Sequence, residues 1–327
     1  MAFEILVSLT RGNLEESHHH GAYCVWKDGE VLRSRGDLET PAYFRSACKP
    51  FQAIAVVESG APDRYGFTEE EMALVVGSHS GSPRHAAVAA SILQKAGADA
   101  GLLRCGGHQP LDRKVHEEYV RQGYEPGRIE DNCSGKHAGM IAAARARGED
   151  PKRYADPDHP VQRDNLNNVA LLCAVHPGTV RVGTDGCAAP NFAVPVSAMA
   201  RAAAVFTTPT DLGEAKAKAA RRIFKAVQAH PDMVAGEGRF DTELMRLGKG
   251  RILSKEGAEG VQIIGVRGER LGIAIKIADG ASRAVHAVAG ALLVDLGILG
   301  ASDLAGLVRR QVRTREGTSV GEVKVRL

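Results

Sequence analysis

The chain opens on FEILVSLT, a run of β-formers that predicts a strand. AYCVWKDGEVLRSRG follows and predicts a hairpin turning at Asp28–Gly29, a pair that tolerates the positive φ a two-residue turn demands. The pattern then changes to helical spacing. A helix is expected from about Ser46 to Glu58, with Gly60 as its stop. TEEEMALVV begins with Thr68 and carries Glu71 three residues later, the spacing of a capping box. Pro83 starts an alanine-rich helix that reaches about Ala96 and ends at Gly97. Further helical segments fall at 112–122, 136–147, 160–174, 197–205 and 211–229, each bounded by Gly, Pro or Asp. TVRVGTDG reads as a short strand ending in a loop. In the last third, VQIIGVRG and LGIAIKIAD read as adjacent strands turning near Glu269. ASRAVHAVAGALLVDLG is an apolar helix, and GEVKVRL a final strand.

Strands at both ends around a helical middle predict an α/β (α+β) protein with a central antiparallel sheet flanked by helices. One domain over 1–327 is expected, its sheet drawn from about 1–45 and 250–327 and its helical region from about 46–250. No GxGxxG follows a strand and no GxxxxGK[ST] occurs, which argues against dinucleotide and P-loop chemistry.

Composition narrows this further. With 327 residues, 44% hydrophobic and 25% charged, the chain can bury a deep core and a pocket. Its net charge is +3 from 42 basic and 39 acidic residues, a balance that does not suggest nucleic-acid binding. The one basic run, VRRQVRTRE, reads as a solvated helix face and linker. No window of 18 uninterrupted apolar residues predicts a membrane span, and MAFEILVSLTRG lacks the features of a secretory leader. The cysteines at 24, 48, 105, 133, 173 and 187 are scattered, so they read as reduced thiols or metal ligands in a cytoplasmic protein.

The candidate chemistry starts at YFRSACKPFQA. Pro50 is tolerated in a first helical turn, where backbone N–H groups lack partners. Ser46 would then stand at a helix N-terminus, with Lys49 one turn on and on the same face. That is the layout of a Ser-x-x-Lys nucleophile, in which the lysine must lose its proton to act as base. The same four residues also suit a serine N-cap beside a surface lysine. GSHSGSP places Ser78, His79 and Ser80 in a loop after a buried apolar run. DNCSGKHAGM puts Cys133, Lys136 and His137 at another helix start, and VGTDGCAAPN puts Asp185 and Cys187 at a strand end. Two cysteines with His or Asp nearby could hold zinc, although the spacing is not that of a zinc finger; two inert thiols are the alternative.

Assembled in order, these segments resemble the L-asparaginase II family, the thermolabile rhizobial type. The similarity runs from about residue 8 to 298. It is carried by TRG, ESHHHG, RSACKPFQA, SHSG, CGGHQP, NCSGKHAGM, DHPVQ, TDGCAAP, HPDMVAGEGRFDTELM, KEGAEGV and GIAIKIADGASRA. The sequence departs from the family pattern at Ser82, where an acidic residue usually follows SHSG, and at CGGHQP, which replaces a more usual CGPHWP.

The resemblance implies a serine β-lactamase/glutaminase-like fold and hydrolysis of L-asparagine to L-aspartate and ammonia. It implies two Ser-Lys tandems, Ser46 with Lys49 and Ser78 with Lys255. It also implies one Zn²⁺ held by Cys133, Lys136 and Cys187, and a homodimer. On chemical grounds His137 competes with Lys136 as third ligand and is otherwise a substrate contact. Arg45 and Asp185 are candidates for the substrate's α-carboxylate and α-amine. Two lysines in one small site would repel each other's protons, which is the role expected of Lys255. A glutaminase or other amidohydrolase, and a non-catalytic zinc-stabilised binding protein, are the competing readings.

Overall fold

Residues on successive positions of the strands face opposite sides and bury both, so a large antiparallel sheet forms with a core on each face. A computed structural model describes residues 3–327. Its strands are β1 (Glu4–Arg11), β2 (Leu14–Lys27), β3 (Glu30–Arg35), β4 (Ala42–Tyr43), β5 (Arg181–Thr184), β6 (Pro190–Val194), β7 (Ile252–Gly257), β8 (Val261–Val266), β9 (Leu271–Ile277), β10 (Gln311–Arg313) and β11 (Ser319–Val325). The large sheet runs β10-β11-β1-β2-β9-β8-β7, and β3 pairs with the far half of β2. The β2–β3 turn carries φ of 50° at Asp28 and 108° at Gly29, as the Asp-Gly pair predicts.

Along the central strands Cys24, Trp26, Ile263 and Ala274 enter one core, whereas Tyr23, Val25, Ile264 and Ile275 enter the other. The first core contains the helical body; the second is closed by the helix Ser282–Asp295. The helix Val196–Thr207 lies directly on the first face. A Cβ at Gly272 would meet the Ala200 carbonyl oxygen at 2.0 Å, so only glycine permits this approach.

The mixed α/β architecture, with its antiparallel sheet and helical middle, is the expected one. The helices at Glu69–Val75, Pro83–Lys95, Arg113–Gln122, Ser134–Ala146, Pro160–Cys173, Val196–Thr207, Glu214–Ala229 and Ser282–Asp295 match their predicted spans closely. Thr68 and Glu71 form the expected reciprocal capping box. The middle is not purely helical: β4, β6 and β5 make a small separate sheet in that order, in which β5 is the short strand expected in TVRVGTDG and β4 and β6 are too short to show a period. β7 and the helix Phe240–Leu247 were also not evident from patterning. VRRQVRTRE is not a helix face; it turns into β10 at the sheet's edge. Among the described residues no helix is long and apolar enough to cross a membrane.

Candidate active site

A 3₁₀ turn, Arg45–Cys48, runs straight into the helix Lys49–Glu58, with Pro50 in its first turn. Arg45 enters that turn at φ 51°, a left-handed conformation that costs a non-glycine residue about 1–3 kcal/mol. It is held there by two bonds: its N–H donates to Asn191 Oδ1 at 3.1 Å, and its Nε donates to Asp185 Oδ1 at 2.8 Å. β7 packs against the turn, and a Cβ at Gly257 would lie 2.4 Å from the Phe44 carbonyl oxygen. Ser46 is half-buried, and its hydroxyl has no hydrogen-bond partner among the described residues.

Lys49 is 1% exposed. Its Nζ donates to the Gly77 carbonyl and to Ser78 Oγ, the latter at 2.9 Å. The Ser78 loop is clamped by its own N–H on the Val234 carbonyl at 2.8 Å and by Arg239 Nη1 donating to the Ser78 carbonyl at 2.6 Å. The expected Ser78–Lys255 tandem is therefore arranged differently, because the Ser78 hydroxyl goes to Lys49. Lys255 instead donates to the Glu256 carbonyl at 2.8 Å and lies 3.6 Å from Asp241 Oδ2.

Lys255 and Asp241 form a fully buried ion pair. Burial pushes the Lys255 ammonium down to about 8; any positive charge at Lys49 and that of Arg239 push the same way, against the opposing pull of Asp241. Burial would raise the Asp241 carboxyl, but Lys255 and three donors outweigh it and hold it below its ordinary value. Those donors are Ser254 Oγ at 2.7 Å, the Glu256 N–H at 2.8 Å and Gln262 Nε2 at 3.1 Å. Asp241 was not singled out from the sequence, where it stood as one letter of RFDTELM. Its only local signal is an acid in the first turn of a helix whose neighbours Phe240 and Leu244 are apolar.

A second cluster lies at the start of Ser134–Ala146. Lys136 Nζ donates to Cys187 Sγ at 3.1 Å, and Cys133, Lys136, His137 and Cys187 are all buried. A hydrogen bond from Cys133 and the charge of Lys136 hold the Cys187 thiol far below its ordinary value. Burial disfavours the Lys136 cation, yet the two sulfurs more than offset this and push it up. His137 Nδ1 lies 2.6 Å from the Tyr154 hydroxyl, which also accepts the Arg104 N–H at 2.8 Å. The buried Tyr154 O–H has no other acceptor among the described residues, so it donates to Nδ1. The imidazole proton then sits on Nε2, which has no oxygen or nitrogen partner but lies close enough to the Cys187 sulfur to help stabilise its anion.

This bears on zinc. Two thiols and an amine match the metal's preference for sulfur and nitrogen. His137, with its Nε2 protonated, is the poorer donor unless that proton is lost. Among the described residues no three His, Cys, Asp or Glu side chains converge as a ligand set, so a set here needs the lysine. Cys133, Lys136 and Cys187 fit a zinc ion, which would take the place of the Lys136 proton.

The two clusters are joined. Asp185 and Cys187 share one loop, so the Arg45 ion pair and the thiol cluster are anchored on the same short segment. His79 Nε2 meets Ser134 Oγ at 2.9 Å, tying the Ser78 loop to the helix that carries Lys136. Ser46, Lys49, Ser78, Lys255, Arg45 and Asp185 thus border one connected region with Cys133, Lys136, His137 and Cys187. The arrangement can activate a hydroxyl and seat a charged head group.

Curated proteins give no significant match. Among solved structures the chain is similar to Mglu in its native form, at 16% identity and a TM-score of 0.47, covering 90% of this chain and 66% of that one, just under two thirds of its length. It is similar to a putative β-lactamase from Bacteroides dorei at 15% identity and a TM-score of 0.41, covering 80% of this chain and 86% of that one. It is also similar to a β-lactamase from Mycobacterium bovis at 16% identity and a TM-score of 0.41, covering 84% and 94%. A family profile described as L-asparaginase II matches residues 7–325, nearly end to end, and the chain belongs to the L-asparaginase II family.

Proposed function

We propose that this protein is an L-asparaginase, an amidohydrolase that releases ammonia from the side-chain amide of L-asparagine and leaves L-aspartate, with Ser46 as nucleophile. Family membership supports an amidohydrolase acting on a small molecule. The observation that carries the mechanism is the buried Lys49 amine, one helical turn from Ser46 and bonded to Ser78 and the Gly77 carbonyl.

Lys49 acts as base in its neutral form. Asp241 stabilises the charge on Lys255. Lys49 takes the Ser46 proton, directly or through the Ser78 hydroxyl, and the alkoxide attacks the amide carbon. The Phe44, Arg45 and Ala47 N–H groups already bond Phe192, Asn191 and Phe44, so the Ser46 N–H is the donor this turn offers to the developing oxyanion; such a donor is worth about 3–4 kcal/mol. Lys49 returns its proton to the leaving nitrogen and ammonia departs. Water, deprotonated by the same amine, then hydrolyses the aspartyl ester and Ser46 regains its proton. Arg45 holds the substrate's α-carboxylate, and the second oxygen of Asp185 holds its α-ammonium. A zinc ion on Cys133, Lys136 and Cys187 would supply fixed positive charge and tie the 133–137 and 185–187 segments together.

Ser46→Ala tests this reading. Ammonia release from asparagine is expected to fall to the background rate with an unchanged melting temperature; near-native turnover overturns Ser46 as nucleophile. Glutamine run in parallel separates the substrate reading from the mechanism. Faster release from glutamine makes the enzyme a glutaminase with the same catalytic groups.

A further inference from the structure

The basic run left without a role in the sequence lines a cavity far along the chain from the catalytic groups. After the helix Ser282–Asp295, Val308 packs into the notch left by Gly290, where a Cβ would stand 2.7 Å from a Val308 methyl. That contact anchors the arm on the second core. β10 and β11 then form a hairpin at the sheet edge, pinned by the Val323 N–H on the Arg310 carbonyl at 3.0 Å and by the Thr314 N–H on the Thr318 carbonyl at 2.9 Å. The run is therefore held as fixed backbone rather than as a loose linker.

Arg309, Arg310, Arg313 and Arg315 all line one cavity of about 680 Å³, and no carboxylate is among its lining residues. Arg313 is braced by its own hairpin, donating to the Gly317 carbonyl at 2.6 Å and to Gln311 Oε1 at 2.5 Å. The guanidinium groups of Arg309, Arg310 and Arg315 have no partner among the described residues. Several other surface arginines are paired. Arg84 pairs with Glu70 and Asp232, Arg246 with Glu237 and Glu243, and Arg270 with Asp211. Gathering four like charges without counter-ions costs electrostatic energy, which a bound polyanion returns.

A second, apolar groove of about 410 Å³ adjoins the first and shares Val308, Arg309 and Arg310 with it. Val294, Val323 and Val325 line it, together with Asp295, a carboxylate already paired with Arg33. Cationic forks beside an apolar slot suit a ligand with phosphates at one end and a flat ring at the other, since guanidinium groups grip phosphate bidentately and also stack on rings.

We propose that this double cavity is a binding site for a nucleoside polyphosphate, with the phosphates on Arg309, Arg310, Arg313 and Arg315 and the base in the valine-lined groove. The site is separate from the asparaginase machinery and does not rest on that reading. The test is calorimetric titration of the full chain with ATP, with inorganic triphosphate and with a duplex DNA oligonucleotide. An Arg310→Gln/Arg315→Gln double variant is run beside the native chain, with its fold checked by thermal melting and by asparagine turnover. Saturable ATP binding below about 1 mM is expected, weakened about tenfold or more in the variant, with triphosphate binding more weakly than ATP. Triphosphate binding as tightly as ATP overturns the place given to the base. Absence of saturable binding by either ligand, an unchanged affinity in the variant, or binding of the duplex alone overturns the site.

Discussion

Asp241→Asn isolates the electrostatic logic of the site, because it deletes one charge while keeping nearly the same shape. The Asp241 carboxylate stands 3.6 Å from the Lys255 ammonium and both side chains are 1% exposed. At an effective dielectric of about 20, that attraction is worth roughly 4–5 kcal/mol, or about three pKa units. Removing it takes Lys255 from about 8 downwards, because burial and the neighbouring Arg239 cation are then unopposed. Lys255 therefore gives up its proton at neutral pH, and the site loses the cation that opposes a positive charge on the neighbouring amine. The acid limb of kcat/KM should move to higher pH, with neutral activity falling about tenfold for each unit it moves and recovering in alkali. The fold should survive. Gln262 Oε1 has no hydrogen-bond partner, so a swing of that amide offers an acceptor to the NH₂ group the substitution introduces, at a cost near one hydrogen bond of about 1 kcal/mol. The assay is ammonia release across pH 6 to 10 on the native chain and on the variant. An acid limb that stays in place, or moves to lower pH, refutes the assignment of the proton to Lys255.

Arg45→Lys should raise KM for asparagine by about tenfold or more with a smaller change in kcat, because lysine cannot make the planar bidentate contact and the Asp185 pair together; an unchanged KM excludes Arg45 from the head-group site. Gly257→Ala should cost roughly 1–3 kcal/mol of stability, read by urea denaturation, and should lower kcat by displacing the Ser46 turn, since its methyl would enter the Phe44 carbonyl. Cys187→Ser and Lys136→Ala should each lower zinc content measured by elemental analysis after equilibration with the metal, whereas His137→Ala should leave it nearly unchanged. Equal zinc content in all three variants contradicts the ligand set.

Much of the large sheet was legible because its strands bury both faces and so read as long β-branched runs, as in VQIIGVRG and LGIAIKIAD. β4 and β6 were not, since two and five residues give no period to detect. Ser46, Lys49 and Pro50 could be placed at a helix start because that pairing is local in sequence. The partner of Ser78 could not be so read: whether its hydroxyl meets Lys49 or Lys255 depends on how the 77–80 loop is clamped against residues 234–239, a contact set by tertiary packing. Asp241 was hidden for the same reason. Its importance comes from Lys255, Ser254 and Gln262, which the chain brings to it from 13 to 21 residues away.

The central claim is that Ser46 carries the acyl group. Rapid acid quench of the native enzyme with saturating asparagine, followed by peptide mapping with mass spectrometry, observes this directly. The account predicts an aspartyl adduct on the peptide containing Ser46, absent from the Ser46→Ala variant. An adduct on the Ser78 peptide, or turnover at full rate with no adduct at any quench time, contradicts it.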